Sequence, residues 1–189
     1  MKTIDINDKN SFQNAVQALK KGGILIFPTD TVYGVGCLMK ESAIKKLYKI
    51  KNRPAAQPTA VLMSRNFFDA KRTKEINLDF DLENKFLFGQ LTLVDSIRHY
   101  VIDFPAMITA DEKIGVRLPN YPWLEKLIDE VGPIVASSAN KKGERIPTNF
   151  AEISPELINE ADLTIQTNDE LCGTPSTVYD LEHDKTIRV

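Results

Sequence analysis

The sequence predicts an α/β domain built on a mixed sheet, and three observations carry that prediction. Short apolar runs bounded by prolines or glycines alternate with segments of helical spacing in the first part of the chain. Strand-like runs then accumulate toward the end. The last two of these, Thr177 to Leu181 and Thr186 to Val189, are separated by a tight turn at His183-Asp-Lys, so they pair antiparallel.

Taken in order, Phe12, Ala15, Val16 and Leu19 repeat at helical spacing and stop at Gly22 and Gly23. Ile24 to Phe27 is a continuous apolar run suited to a strand buried on both faces. It breaks at Pro28 into a loop dense in hydroxyls and glycines, with Thr29, Thr31 and Tyr33 as donors and acceptors and Asp30 as the charge. Gly34 and Gly36 in that loop allow positive φ or the close approach of a ligand. Ile44, Leu47, Tyr48 and Ile50 face inward from a second helix, which Pro54 stops, so Lys51 and Arg53 sit at its end. Thr59 to Met63 reads as a strand, and Asn66 as the cap of a short helix through Phe67 and Phe68. Glu75 to Phe88 reads as a loop leading into a helix. Leu91 to Ile97 and Ile114 to Leu118 read as strands by their branched residues. Pro122 opens a helix that runs to Val131 and closes at Gly132. Ile134 to Ala136 is a strand that empties into Ser137, Ser138 and Asn140, Thr148 caps a helix near Phe150 to Ile153, and Leu163 to Gln166 is a further strand.

The chain of 189 residues is most economically one domain over residues 1–189. A net charge of -2 gives no global pull toward nucleic acid, so a polyanion site must be a local patch. One candidate is Lys40, Lys45, Lys46, Lys49, Lys51 and Arg53 against the single acid Glu41, whereas Asn149 to Cys172 holds six acids and no Lys or Arg. Cys37 and Cys172 are solitary, which disfavours a disulfide framework and fits a reducing, cytoplasmic setting. With only His99 and His183 besides, no structural zinc spacing exists, and no metal ligand is assigned. The N-terminus lacks an apolar leader, and no stretch is long enough to span a membrane.

Phosphate-loop, dinucleotide and nucleophile-elbow motifs are missing. What remains is hydroxyls, amides and cations gathered at strand ends, a set suited to an anionic ligand whose reaction needs positioning and charge neutralisation, as nucleotidyl transfer does. Two readings stand for Lys51 and Arg53: an anion site, or ordinary complements to a helix dipole. Two stand for Ser137, Ser138 and Asn140: phosphate donors, or a plain Asx or Ser turn. Cys37, His99 and His183 read as structural.

Six motifs in order resemble one family: Pro28-Thr-Asp-Thr-Val-Tyr-Gly34, Lys51-Asn-Arg53-Pro, Val116-Arg117-Leu-Pro119, Ser137-Ser-Ala-Asn140, Pro175-Ser-Thr-Val178 and Ile187-Arg188. The sequence resembles the YrdC/TsaC family, the threonylcarbamoyl-AMP synthases, from about Gly22 to Arg188. The resemblance implies a twisted sheet with flanking helices and a concave basic cavity. It implies an enzyme, a nucleotidyltransferase, that joins L-threonine, bicarbonate and ATP, with Mg2+, into threonylcarbamoyl-AMP and pyrophosphate. The product is implied to pass through partner proteins to tRNA, with contact to tRNA or double-stranded RNA. Carried over residue by residue, Thr31, Arg117 and Ser176 hold threonine, and Lys51, Arg53, Ser138 and Asn140 serve the chemistry. Arg53, Gln57, Ala136, Ser138 and Arg188 hold ATP. The chain departs from the family pattern at Gln57, at Phe88-Gly-Gln-Leu-Thr92 and at Lys113. The alternatives are a module of this fold that binds RNA through the Lys40 to Arg53 patch, or a paralogue that transfers a related carbamoyl or adenylate group.

Overall fold

The structure, a computed structural model, describes residues 3–54 and 57–188. In chain order the strands and helices are β1 (Thr3–Asp5), α1 (Ser11–Lys20), β2 (Leu25–Phe27), β3 (Gly34–Leu38), α2 (Glu41–Ile50), β4 (Val61–Leu62), α3 (Arg65–Lys71) and α4 (Phe80–Leu87). They continue with β5 (Leu91–Ser96), β6 (Lys113–Arg117), α5 (Pro122–Val131), β7 (Ile134–Ser138), α6 (Pro155–Glu160), β8 (Leu163–Gln166), β9 (Thr177–Asp180) and β10 (Lys185–Arg188). All ten strands join one sheet in the order β1-β8-β2-β3-β7-β4-β6-β5-β9-β10. Its pairings are mixed, as the sequence predicts: β1 with β8, β8 with β2, β4 with β6 and β5 with β9 are parallel, and the rest antiparallel.

Strand side chains alternate between faces, and the alternation divides the interior in two. Ile26, Val35, Cys37, Leu93, Val116 and Tyr179 point to the face covered by α2, α3, α4 and α6. Leu25, Phe27, Leu62, Ile134 and Ile165 point to the other, covered by α1 and α5 through Leu19, Leu124, Leu127 and Ile128. Those two helices cover only part of their face. Over β4, β6, β5 and β9 the same face stays open, and there Thr92, Val94, Gly115 and Val178 form the floor of a cavity.

Several local expectations need correction. Gly34 and Gly36 do not lie in a loop; they begin β3, antiparallel to β2 and β7. Neither has a positive φ. A Cβ on Gly36 would sit 2.6 Å from the Val135 carbonyl oxygen, so this glycine answers to a neighbouring strand rather than to a ligand. Helix α2 ends before Pro54, because Lys51 is its C-cap and Asn52 turns the chain at φ 51. Ser64, not Asn66, caps α3 by accepting from the Phe67 amide at 3.1 Å. Phe150–Glu152 is a 3-10 turn capped by Asn149, not a helix capped by Thr148. The unforeseen α6 follows it under a Ser154 cap. β1 also escaped sequence reasoning, since three half-buried residues carry too little pattern. The last strand spans Lys185–Arg188; Val189, included in the expected strand, lies outside the described residues.

Beneath β5, away from the cavity, the buried Asp95 carboxylate binds Arg72 at 2.8 Å and the His99 ring at 2.7 Å, so His99 is structural as expected. The Arg72 guanidinium lies 5.8 Å from the centre of the Phe68 ring and 5.7 Å from that of Tyr100. Burial pushes the Asp95 carboxyl up, but His99 and Arg72 outweigh it and hold the group below its ordinary value. Its contribution to stability is therefore present above the unfolded carboxylate value and lost as pH falls through the lower folded one. Asp95→Asn strands a buried cation and should cost about 3–5 kcal/mol. Urea unfolding checks this, and an unchanged midpoint would remove the ion pair from the account of stability.

Candidate active site

The open face encloses a cavity of about 630 Å3. Its floor is ordered by the register of the sheet: Thr92 lies opposite Arg117 and Val94 opposite Gly115 across β5 and β6. Arg117 and Lys113 are four residues apart on one strand face, or about 13 Å. That length accommodates an extended ligand. All ten residues assigned by resemblance line this one space: Thr31, Arg117 and Ser176; Lys51, Arg53 and Gln57; Ala136, Ser138, Asn140 and Arg188.

At the β2–β3 turn the chain folds around a hydroxyl. Thr29 Oγ1 accepts from the amides of Thr31 at 3.1 Å and Val32 at 3.2 Å, and donates to the Val32 carbonyl at 2.7 Å. This tight loop presents Thr31 and Asp30 to β6. Arg117 Nη2 donates to Asp30 Oδ1 at 2.7 Å and to Thr31 Oγ1 at 2.8 Å, while its Nε donates to the Gly89 carbonyl at 2.8 Å. Three of its five N–H groups are thus engaged. The two on Nη1 have no protein partner among the described residues, and a guanidinium edge of this kind suits a carboxylate. Burial opposes the charge of both partners, raising Asp30 and lowering Arg117 from their ordinary values, with the mutual attraction acting the other way.

The sequence marks Asp30 only as the charge of its loop and Gly89 only as part of a divergent turn; the structure joins them. Gly89 has φ +77, and a Cβ there would lie 2.3 Å from Asp30 Oδ2. The glycine kept in the divergent Phe88-Gly-Gln-Leu-Thr92 turn is what lets Asp30 and Arg117 meet. Tyr33, expected among the ligand-facing groups, is fully buried instead, and its hydroxyl accepts from the Thr167 amide at 2.9 Å. On the far side of the floor Ser176 Oγ bonds Thr92 Oγ1 at 2.8 Å, and Arg188 Nη2 donates to the Ser176 carbonyl at 3.1 Å.

Lys51 leaves the end of α2 and crosses to the end of β7. Its Nζ donates to the carbonyls of Ser138 and of Asn140, the latter at 2.6 Å. The side chain is only 5% exposed, which rules out a solvated helix-end cation. Burial, and then the neighbouring Arg53, bring the ammonium down to about 8. Arg53 lies 5.6 Å from the centre of the Tyr48 ring and donates through Nη2 to the Pro58 carbonyl. Ser138 Oγ donates to Asn140 Oδ1 at 2.6 Å, and Asn140 Nδ2 to the Glu144 carbonyl at 2.8 Å. The local turn and the cavity wall are therefore the same residues, and the two sequence readings of this corner do not exclude one another.

Burial pushes the Cys37 thiol up to about 12, so it is inert inside the core. Lys113 Nζ lies 3.1 Å from Asp180, 2.7 Å from Glu182 and 3.1 Å from His183. Asp180, Glu182 and His183 are spaced as metal ligands would be, but Lys113 already supplies their cation, so they do not fit a resident metal. His183, expected to be purely structural, lines the mouth of the cavity.

The family model Sua5/yciO/yrdC, described as Telomere recombination, matches residues 17–189. The chain belongs to this family. A putative threonylcarbamoyl-AMP synthase of Methanocaldococcus jannaschii is 30% identical, the match covering 100% of the chain and 90% of the relative. The threonylcarbamoyl-AMP synthase of Pyrococcus abyssi is 32% identical over 86% of the chain, but only 48% of that relative is covered. The crystal structure of P. abyssi Sua5 complexed with L-threonine superposes with a TM-score of 0.81 at 29% identity, covering 95% of this chain and 54% of that one. The chain thus spans about half the length of the P. abyssi proteins. With these members of the Sua5/YrdC family it shares the mixed sheet and flanking helices. Among the described residues no helix is long and apolar enough to cross a membrane.

Proposed function

We propose that the chain is a threonylcarbamoyl-AMP synthase, a cytoplasmic nucleotidyltransferase that condenses L-threonine, bicarbonate and ATP and releases pyrophosphate. One observation carries the reading: the Arg117–Thr31 pair, held from behind by Asp30, and the Lys51 bridge to Ser138 and Asn140 line a single cavity. The free edge of Arg117 suits the threonine carboxylate, with Thr31 and Ser176 on either side. Lys51, Arg53, Arg188, Gln57 and the Ala136 to Asn140 wall are then left for the nucleotide and its phosphates. Domain 1–189 acts as one unit in this proposal.

The chemistry asks little of proton transfer. Bicarbonate takes up a proton and loses water to give carbon dioxide, the neutral threonine amine captures it and returns a proton to solvent, and an oxygen of the resulting anionic carbamate attacks the α-phosphorus, so that a new O–P bond forms as the bond to pyrophosphate breaks. The main barrier is repulsion between two anions, which fixed cations offset. Magnesium arrives as the counterion of ATP, consistent with the occupied Asp180–Glu182–His183 cluster. The product is handed to proteins that modify tRNA.

The RNA-binding alternative draws less support. Lys46 bonds Asp162 at 2.7 Å, Lys45 pairs with Glu41 at 3.5 Å, and Lys40 donates to the Lys20 carbonyl. Lys51 and Arg53 turn inward, so the sequence-level patch is not one continuous basic face. The deciding measurement is AMP and pyrophosphate formation with each substrate omitted in turn. Turnover that needs both L-threonine and bicarbonate is expected; turnover indifferent to threonine, or supported equally by other amino acids, would sink the assignment.

A further inference from the structure

Seven Lys and Arg residues line the cavity, and the side chains of six are already engaged. Lys51, Arg53 and Arg188 donate to main-chain carbonyls, Arg117 to Asp30, Lys113 to Asp180 and Glu182, and Lys141 to Glu156 at 2.6 Å and Glu160 at 3.6 Å. Lys142 is the exception: among the described residues its ammonium has no hydrogen bond and no ion pair. Its position is nonetheless held. The Lys142 amide donates to the Lys51 carbonyl at 3.3 Å, which sets the two residues side by side. The turn that carries it is closed by the Lys141 amide on the Glu144 carboxylate at 2.8 Å, by Asn140 Nδ2 on the Glu144 carbonyl, and by Gly143 at φ +89.

We propose that Lys142 is a phosphate-binding residue of this cavity, supplying the charge that meets the pyrophosphate end of the triphosphate. The inference deepens the reading of the cavity as a triphosphate site and rests on it. Lys51 has two of its three N–H groups on carbonyls and Arg53 is held by its own loop, so both are fixed in place before any ligand enters. Their bonds to neutral carbonyls leave the charges whole but hold the positions, so neither can follow the distal phosphates as they move. An exposed lysine anchored at its backbone and unpaired at its tip is suited to closing on the distal phosphates and letting go once pyrophosphate has formed. Partnered lysines would first have to break an existing bond.

The test uses inorganic pyrophosphate as probe, titrated calorimetrically into the full chain at low ionic strength. Lys142→Ala should bind it about 10-fold more weakly than the unsubstituted protein, with a shallower dependence on salt. Lys142→Arg should retain most of the affinity. Lys45→Ala, an equal change of net charge on the outer face of α2, should bind as the unsubstituted protein does. Melting temperatures of all variants report whether they fold; Lys142→Gln repeats the comparison if the alanine variant does not. Equal affinity of Lys142→Ala and the unsubstituted protein overturns the inference, and so does an unsubstituted protein that binds no pyrophosphate. Threonine-dependent AMP formation is measured alongside. Pyrophosphate binding that depends on Lys142, without any threonine dependence of turnover, would refute the proposed reaction and leave the anion site standing.

Discussion

Arg117→Ala is expected to cost about 3–5 kcal/mol of stability and to abolish threonine-dependent turnover, the largest combined effect of any single substitution in the cavity. The residue is 7% exposed and bonds three groups on two segments at once: the Asp30 carboxylate and Thr31 hydroxyl of one loop, and the Gly89 carbonyl of another. Removing it leaves the Asp30 carboxylate buried without its counterion, beside a hydroxyl and a carbonyl that lose a donor. Arg117→Lys separates the two consequences. A lysine can keep the charge near Asp30 but cannot donate along three directions in one plane, so stability should recover in part while the apparent KM for threonine stays high. Urea unfolding and initial rates at several threonine concentrations give both quantities. A folded Arg117→Lys variant with the unsubstituted protein's threonine dependence would exclude Arg117 from carboxylate binding.

Lys51→Ala is expected to lower the rate about 100-fold or more, the loss associated with removing one fixed transition-state donor. Burial already works against the ammonium, so its removal should leave the fold intact, and the two effects can be measured apart. The lowered value of about 8 adds a pH signature. With ATP subsaturating, the rate should fall on the alkaline side around that value as the cation is lost, and this limb should be missing from the residual activity of Lys51→Ala. Stability moves in the opposite direction. Between about 8 and the ordinary 10.5 the unfolded chain binds more protons than the folded one, so the contribution of this group to stability rises with pH across that window. A flat alkaline profile would mean that Lys51 acts by position and not by charge.

Much of this architecture was legible in the residues. The apolar run Ile24 to Phe27, the helical spacing of Ile44, Leu47 and Tyr48, and the Pro122 start of α5 each signal an element, because period and punctuation are local properties. The strands that were missed or shortened are short: β1 has three residues, all half-buried, and β4 two, both buried, so neither shows an alternation of buried and exposed positions. β3 was hidden because its glycines are the usual mark of a loop. The antiparallel register with β7 leaves no room for a side chain at Gly36, a constraint that belongs to residues about a hundred positions later in the chain.

The site divides in the same way. Residue chemistry alone favoured a cavity of hydroxyls, amides and cations over a histidine or cysteine relay, since the sequence offers only two solitary cysteines, Cys37 and Cys172, and two histidines. The packing of the sheet decided which of those cations reach the cavity. Lys51, Arg53, Lys45 and Lys46 lie within nine residues of one another in the sequence, yet two turn into the cavity and two pair with carboxylates outside it. Their separation follows from where α2 ends against β7, because a side chain takes its partner from the surface that faces it and not from its neighbours in the chain.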